Sequence, residues 1–206
     1  MKQIMTYILL TGIALTLVII AVGADRFRLP GAQQDYEPDQ PIAYSHRLHA
    51  GELSIDCQYC HSGAERSSFA GVPAASTCMN CHKFVTAAWG AVLEEDKLAA
   101  AEKRPARKIV SPELAKLYAA VGPPEKPIVW NRVHQLPDFV YFDHRPHVYA
   151  GVKCQTCHGP VETMDKVRQV ESLSMGWCVN CHRQVNQTGV NNKPVHAPVD
   201  CATCHY

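Results

Sequence analysis

The hydropathy pattern of the chain begins with an apolar run from Ile4 to Ala24 that contains no charged residue. An α-helix needs about 20 apolar residues to cross the hydrocarbon core of a bilayer. The run therefore predicts one membrane-spanning anchor helix within residues 1–24. A cleaved signal peptide is the alternative, because Val22 and Ala24 fit a small-residue cleavage site. The apolar part of a signal peptide usually spans about 7–15 residues, so the length favours an anchor that stays attached.

The polar pattern beyond the anchor predicts a linker and a helical spacer. Residues 25–43 are rich in Pro, Gln and acidic residues, which indicates an extended linker. Residues 84–133 lack cysteine and predict a helical spacer, with one helix over 86–103, where good helix formers dominate. A second helix is predicted to begin at Ser111 and to stop by residues 122–124. We expect the charges of the spacer to form a solvated face, which is a candidate docking surface.

The composition indicates a chain that does not build a large apolar core by itself. Its 206 residues include 14 Pro and 12 Gly, and the aromatic content is 8%. A chain of this kind buries only a thin core on folding. The 20 Lys and Arg residues balance 19 Asp and Glu residues. The absence of a basic stripe argues against nucleic-acid binding.

The cysteine pattern predicts covalent haem. The haem rings would supply the apolar surface that the chain lacks. The pentapeptide Cys-x-x-Cys-His occurs five times and uses all 10 cysteines. This spacing is the attachment signature of haem c, in which two thiols form thioethers and the histidine binds the iron. The cysteines are Cys57, Cys60, Cys78, Cys81, Cys154, Cys157, Cys178, Cys181, Cys201 and Cys204. The proximal histidines are His61, His82, His158, His182 and His205.

Three other uses of cysteine pairs explain this pattern less well. A zinc site pairs two knuckles and does not require a histidine after every one. A redox-active Cys-x-x-Cys is expected once rather than five times. A disulfide framework would not repeat one short spacing. We therefore predict five covalently bound haem c groups, and we expect residues 25–206 to lie outside the cytoplasm, where haem is attached.

A second pattern, His-x-x-His, indicates an internal repeat. His46 and His49 precede the motif at Cys57, and His144 and His147 precede the motif at Cys154 in the same way. Each pair is followed by two haem motifs, and the second copy adds a third. The predicted organisation is a first haem module over residues 44–83 with two haems and a second haem module over residues 134–206 with three.

The number of histidines predicts that the irons are six-coordinate. Of 11 histidines, five are proximal, which leaves six for five distal positions. These six are His46, His49, His134, His144, His147 and His196. An iron with two protein ligands has no place for a substrate, so such haems transfer electrons. The sequence therefore predicts an electron-transfer protein without a catalytic residue.

The order of these motifs resembles a known family. An aromatic residue before each His-x-x-His, followed by close haem motifs, looks like the c3/c7 class of multihaem cytochromes c. The stretches Trp130–His144, Ser174–Cys178 and Cys201–Tyr206, together with the anchor, are similar to the pentahaem cytochrome subunit of alternative complex III, a bacterial quinol:electron-acceptor oxidoreductase. The resemblance implies a c3/c7-like fold of few short helices and long loops packed around five haems, with one N-terminal transmembrane helix.

The resemblance also implies a setting and partners. The chain would be a single-pass protein of the inner membrane with its haem domain on the periplasmic side. Its partners would be an iron–sulfur/molybdopterin-like subunit, quinol-oxidising membrane subunits and a monohaem cytochrome c, besides membrane lipid. The chain would carry electrons from the quinol-oxidising subunits to a downstream cytochrome c or oxidase, and would not itself oxidise quinol.

The distal ligands follow from the same resemblance. In c7-type modules the first histidine of each pair binds the haem of the next motif, so His46 would serve the haem at Cys57 and His144 the haem at Cys154. His49 and His147 would each bind a different haem. His134 would serve the haem at Cys78 or one near it. Met175 occupies the place of a further distal ligand and would bind the haem of Cys201–His205. His196 is the alternative ligand there, and ordinary packing beside Trp177 is the alternative role of Met175.

Two other functions remain open at this stage. A membrane-anchored tetrahaem quinol dehydrogenase that feeds periplasmic reductases also has one anchor helix, although the fifth motif and the spacer fit it poorly. A multihaem reductase would need an iron with an open position. The supply of distal histidines argues against that second class.

Overall fold

The computed structural model describes residues 2–23 and 33–206, and the first part of the predicted linker, residues 25–32, lies outside them. The described residues form short helices joined by long loops, and they contain isolated β-bridges at Val140–His205 and Val190–Lys193 but no strand. The α-helices are α1 (Lys2–Gly23), α2 (Cys57–Cys60), α3 (Ala75–His82), α4 (Trp89–Ala101), α5 (Pro112–Val121), α6 (His144–Tyr149), α7 (Gln155–His158), α8 (Met175–Thr188) and α9 (Cys201–Cys204). A π-helical turn over Arg47–Glu52 and 3₁₀ turns over Ser62–Glu65 and Val161–Thr163 complete them.

The helix α1 coincides with the predicted anchor. Its stretch Gln3–Val22 has a mean hydropathy of 2.4, and none of it is buried inside the chain. Within the described residues it is the one helix that is long and apolar enough to cross a membrane. The hydroxyl of Thr11 donates to the carbonyl of Tyr7 (2.9 Å), and that of Thr16 donates to the carbonyl of Gly12 (2.8 Å). Its two central hydroxyls are thus satisfied within the helix, as an apolar environment requires.

Side-chain caps fix where the motif helices begin. Asp56 accepts a hydrogen bond from the Gln58 amide (2.8 Å) at the start of α2, and Asp200 accepts one from the Thr203 amide (3.0 Å) at the start of α9. Ser174 caps α8. A carboxylate or hydroxyl at this position satisfies an amide that has no partner within the helix. These caps hold even a single turn such as α2 or α9 in helical form.

The spacer forms two helices, α4 and α5. The first is shorter than the predicted span 86–103, and the second begins after Ser111 as predicted, with Ser111 as its cap. The hydroxyl of Tyr118 on α5 donates to the carbonyl of His82, which attaches the spacer to α3 of the first haem module. The expectation of a solvated charged face is wrong at Glu95. Its side chain is buried, and its ion pair with Arg104 lowers its pKa to about 2.

The apolar core of the described residues is small. Only three hydrophobic side chains in this part of the chain are buried, those of Ala99, Leu117 and Val133. All three belong to the spacer, residues 84–133, so the described residues of the haem modules contribute no buried hydrophobic side chain of their own. The modules consist instead of loops and single helical turns arranged around clusters of histidine and cysteine.

Contacts between the first and second haem modules are close. The hydroxyl of Tyr149 donates to the carbonyl of Glu65 (3.0 Å). Ser45 and Arg47 both bind the carboxylate of Asp165, at 2.7 and 2.9 Å. A Cβ atom on Gly51 would lie 2.3 Å from the backbone carbonyl oxygen of Glu162, so only glycine allows this approach.

Candidate haem sites

Each of the five motifs lies on a helical turn. The motif cysteines belong to α2, α3, α7, α8 and α9 or cap them. Residues at i and i+3 of a helix lie on one side of it, so both thiols of each motif point the same way. All ten cysteines are free of disulfide bonds. The motifs therefore keep both thiols available for attachment.

The environment of the thiols argues against the redox and zinc alternatives. Burial raises the pKa of Cys157 to about 11, and it also raises the pKa of Cys60, Cys78 and Cys178. A reactive thiol needs a lowered pKa, so the raised pKa of these thiols argues against a disulfide oxidoreductase. Within residues 2–23 and 33–206, no three His, Cys, Asp or Glu side chains converge as metal ligands. The described residues therefore give no support to a structural zinc site.

Two distal histidines face two proximal ones in nearly parallel planes. The ring centres of His46 and His61 are 6.4 Å apart with an angle of 3° between the planes. Those of His144 and His158 are 6.3 Å apart with an angle of 6°. Two imidazoles that bind one metal from opposite sides, each at about 2 Å, have ring centres about 6 Å apart. The spacing of both pairs therefore fits a metal ion between the rings.

Two further pairs have the same spacing. The ring centres of His49 and His82 are 6.1 Å apart, and those of His147 and His182 are 6.0 Å apart. Their planes are inclined by 62° and 36°. Such angles are compatible with two rings that would bind one metal, because rotating a ring about its metal–nitrogen bond leaves the nitrogen in place. Each His-x-x-His segment thus supplies one ring to its own next motif and one to the following motif.

An aromatic ring supports both histidines of each pair. Tyr44 lies 4.9 Å from His46 and 4.4 Å from His49 between ring centres. Phe142 lies 4.7 Å from His144 and 5.0 Å from His147. The first contact is edge-to-face and the second is closer to parallel in both modules. The internal repeat therefore extends to the packing of the distal rings.

Hydrogen bonds at Nδ1 orient most of these imidazoles. When Nδ1 carries the proton and donates it to a carbonyl, the lone pair of Nε2 is left for a metal, and ring and tautomer are both fixed. The following Nδ1 atoms have carbonyl partners: His61 with Gly71 (2.7 Å), His82 with Val85 (2.9 Å), His182 with Pro198 (2.5 Å), His49 with Ser45 (2.8 Å), His144 with Ser68 (2.8 Å) and His147 with Asp143 (2.8 Å).

The buried imidazoles are neutral at pH 7. Burial lowers the pKa of His46 to about 4 and that of His158 to about 3, and it lowers the pKa of His147 as well. A pH of 7 lies above the pKa of each of these imidazoles in the folded protein, so each ring is neutral. Only the neutral ring can bind iron, so the burial that positions these residues also keeps them in the binding form.

His134 occupies a different kind of position. Its ring centre is 4.3 Å from that of His158, at an angle of 73°, and its Nε2 lies 3.3 Å from Nδ1 of His158. This separation is too short for two rings on opposite sides of one metal. The ring that faces His82 at the expected distance is His49, not His134. The contacts of His134 are thus with His158 rather than with His82, and its assignment to the haem at Cys78 or one near it stays a prediction.

The fifth motif has a different neighbour. The ring beside His205 is that of Phe139, with centres 5.9 Å apart. The amide of Tyr141 donates to the carbonyl of Cys204 (2.9 Å), which joins this motif to the start of the second haem module. Met175 begins α8 and exposes 66% of its surface, and His196 is also exposed. The assignment of Met175 or His196 to this motif stays a prediction.

Neighbouring thiols indicate the order of the five motifs in space. After burial, the nearby thiol of Cys78 raises the pKa of Cys60, and the side chains of Cys57 and Cys154 interact directly. Besides burial, the nearby thiols of Cys181 and Cys178 raise the pKa of Cys157, and the thiol of Cys204 raises the pKa of Cys178. The motifs are therefore neighbours in the order of Cys78, Cys57, Cys154, Cys178 and Cys201, and this order is called the row below.

Comparisons with known proteins agree with this picture. Residues 140–206 match the family described as cytochrome c7 and related cytochrome c, and residues 77–159 match the family of cytochrome c554 and c-prime. The chain is similar to the menaquinone reductase multihaem cytochrome c subunit of Nitratidesulfovibrio vulgaris, strain Hildenborough. The two are 26% identical over 189 residues, which cover 82% of this chain and 78% of that protein. From its repeated motifs, its paired imidazoles and these matches, we conclude that the chain is a multihaem c-type cytochrome.

Proposed function

We propose that the chain holds five covalent haem c groups and serves as the electron-relay subunit of a quinol-linked membrane complex. The observation that carries the proposal is the set of four imidazole pairs with ring centres 6.0–6.4 Å apart. Haem c, when bound, supplies reversible one-electron chemistry. The protein contributes attachment, axial ligation and spacing.

The paired histidines explain why the chain would relay electrons rather than catalyse a reaction. A ring on each side of the metal leaves no position for a substrate. His46, His49, His144 and His147 would be the distal ligands of the first four motifs in the row. The row of motifs, each next to the following one, supports transfer from one end of the molecule to the other.

The fifth motif would be ligated differently. We propose Met175 as the distal ligand of the haem of Cys201–His205, because no distal histidine faces His205 in the described part of the chain and Phe139 lies beside it instead. A methionine ligand raises the potential of a haem relative to two histidines. The haem at this end of the row would then have the highest potential.

Replacement of Met175 by histidine tests this assignment. We expect Met175→His to lower the midpoint potential of one haem by on the order of 0.1 V, because histidine favours ferric iron more than methionine does. All five haems should stay low-spin in the optical spectrum. Redox titration of the purified protein followed by haem absorbance is the measurement. Five unchanged midpoint potentials would refute the assignment and leave Met175 as a packing residue beside Trp177.

The helix α1 supports a location in the membrane. We propose that it is an uncleaved, single-pass anchor and that the haem modules lie on the periplasmic side of the inner membrane, because haem c is attached outside the cytoplasm. Its apolar surface is fully exposed in the isolated chain, so lipid or the helices of membrane subunits would cover it. Partners of this kind fit both complexes considered next.

Two complexes are candidates, and they differ in the direction of electron flow. In alternative complex III, which the motif order resembles, electrons would leave quinol and reach a cytochrome c or oxidase through this subunit, beside an iron–sulfur/molybdopterin-like subunit and a monohaem cytochrome c. The similar menaquinone reductase subunit favours a second candidate, in which electrons pass from a periplasmic donor to menaquinone. We propose alternative complex III because the order of the motifs resembles that of its cytochrome subunit. The menaquinone reductase remains the second candidate because of the sequence similarity.

Purification of the native complex from membranes in mild detergent tests the proposal. We expect the chain to remain in the membrane fraction with its sequence beginning at or near Met1, and to copurify with quinone-reactive membrane subunits. Rapid mixing then decides the direction: quinol should reduce the haems in the first case, and a reduced periplasmic cytochrome should reduce them in the second. A mature protein that begins at Asp25 and is released without detergent would overturn the anchor.

A further inference from the structure

One proximal histidine, His158, differs from three of the others in its hydrogen bond. Nδ1 of His61, His82 and His182 has a backbone carbonyl as its partner, at 2.7, 2.9 and 2.5 Å. Nδ1 of His158 instead has Nε2 of His134, at 3.3 Å. Both rings are largely shielded from water, and they meet at 73°, edge to face. The side chain of His134 is therefore aimed at the one polar atom of His158 that a metal would leave free.

We propose that His134 is a positioning residue that hydrogen-bonds the proximal ligand His158 and lowers the potential of the haem at Cys154. The inference rests on the proposed function, because His158 must bind iron through Nε2. In that state the neutral ring of His158 carries its proton on Nδ1 and donates it to Nε2 of His134. His134 then holds its own proton on Nδ1, and its Nε2 is no longer available to a metal.

At equal distance, an imidazole acceptor acts on the ligand more strongly than a carbonyl does. An imidazole nitrogen is far more basic than an amide oxygen, so it draws the shared proton further from His158. The ring of His158 becomes more electron-rich and stabilises ferric iron, which favours a lower potential. Outer partners of metal-binding histidines typically change metal affinity or activity by about 10–100-fold when they are removed.

The position of the Cys154 motif indicates what the contact between His134 and His158 would do. The motif at Cys154 is the middle one of the row, next to the motifs of Cys57 and Cys178. It is also where the two modules meet, since the distal ring of His144 is held by Ser68 of the first module. A lowered potential there would make the middle haem harder to reduce than its neighbours. His134 would therefore control the difference in potential that an electron meets when it passes between the two modules.

Three substitutions test the inference on the complete holoprotein. His134→Ala removes the acceptor, His134→Phe keeps the ring volume without an acceptor, and His134→Gln keeps an amide oxygen as a weaker acceptor. We expect His134→Ala and His134→Phe to raise one of five midpoint potentials, with a roughly tenfold change in that haem's reduction equilibrium, which is about 59 mV for one electron. His134→Gln should restore part of the shift. Gln135→Ala, at an exposed neighbouring residue, is the matched control and should change nothing.

The haem count and spin state separate the possible outcomes. In each variant we expect five covalent haems by mass and a low-spin optical and electron paramagnetic resonance spectrum, with one low-spin signal moved. A new high-spin haem would overturn the inference and make His134 an iron ligand. Five low-spin haems with unshifted potentials in the Phe and Gln variants would also overturn it. Fewer than five haems in the unmodified protein would instead count against the proposed relay.

Discussion

A chain in which all ten cysteines are replaced by alanine is expected to lose essentially its entire folded structure outside α1. The described residues bury only Ala99, Leu117 and Val133 as apolar side chains, which is far too little to offset the entropy of ordering the chain. Attachment of haem and folding are therefore coupled, as they are for other small metal-dependent domains. Circular dichroism in detergent should show the helicity of α1 alone, without a cooperative thermal transition.

The matched control removes one motif at the end of the row. The double substitution Cys201→Ala and Cys204→Ala should lower the mass under denaturing conditions by one haem, from five to four, and leave a cooperative transition at a lower temperature. The opposite result would be a haem-free chain that melts cooperatively near the temperature of the native protein. Such a chain would have a core that the buried residues do not account for.

Replacement of His144 by alanine is expected to convert exactly one haem from low-spin to high-spin. The ring centres of His144 and His158 are 6.3 Å apart in nearly parallel planes, so His144 would be the distal ligand of the haem that His158 binds. His144→Met should restore a low-spin state and raise the midpoint potential of that haem by on the order of 0.1 V, because methionine favours ferrous iron. Optical spectra and redox titration measure the two effects.

Two further variants test the pairing. His49→Ala should also give one high-spin haem, and the double variant with His144→Ala should give two, because the two residues face different proximal rings. Gln135→Ala is the control, since its side chain is exposed, and it should keep every haem low-spin. A single high-spin haem in the double variant would mean that both histidines serve one iron and that the pairing is wrong.

The sequence predicts those features that depend on short-range patterns. The apolar run gives α1, the Ser111 cap gives the start of α5, and the motif spacing gives the haem attachment turns. The repeated pattern of an aromatic residue before His-x-x-His indicates that the two histidine pairs pack alike, against Tyr44 in one module and Phe142 in the other. These features form within a few residues of chain, where capping and helical periodicity decide the conformation.

Features that depend on distant contacts could not be predicted. The burial of Glu95 follows from Arg104 folding back onto α4, and a charge pattern alone favours a solvated face. The contact of His134 with His158 joins residues 24 positions apart. The one available signal was the count of six spare histidines for five irons, which left one without a ligand role. The order of the motifs in space likewise depends on packing between modules.

The hydrogen bond from His144 to Ser68 ties one module to the other. His49 and His147 are each held by a carbonyl four residues earlier in their own module, but His144 depends on the other module. The repeat equivalent of His144 is His46, and within the described residues its buried Nδ1 has no hydrogen-bond partner. A substitution that moves the loop at Ser68 would therefore reorient a histidine of the second module, although it lies in the first.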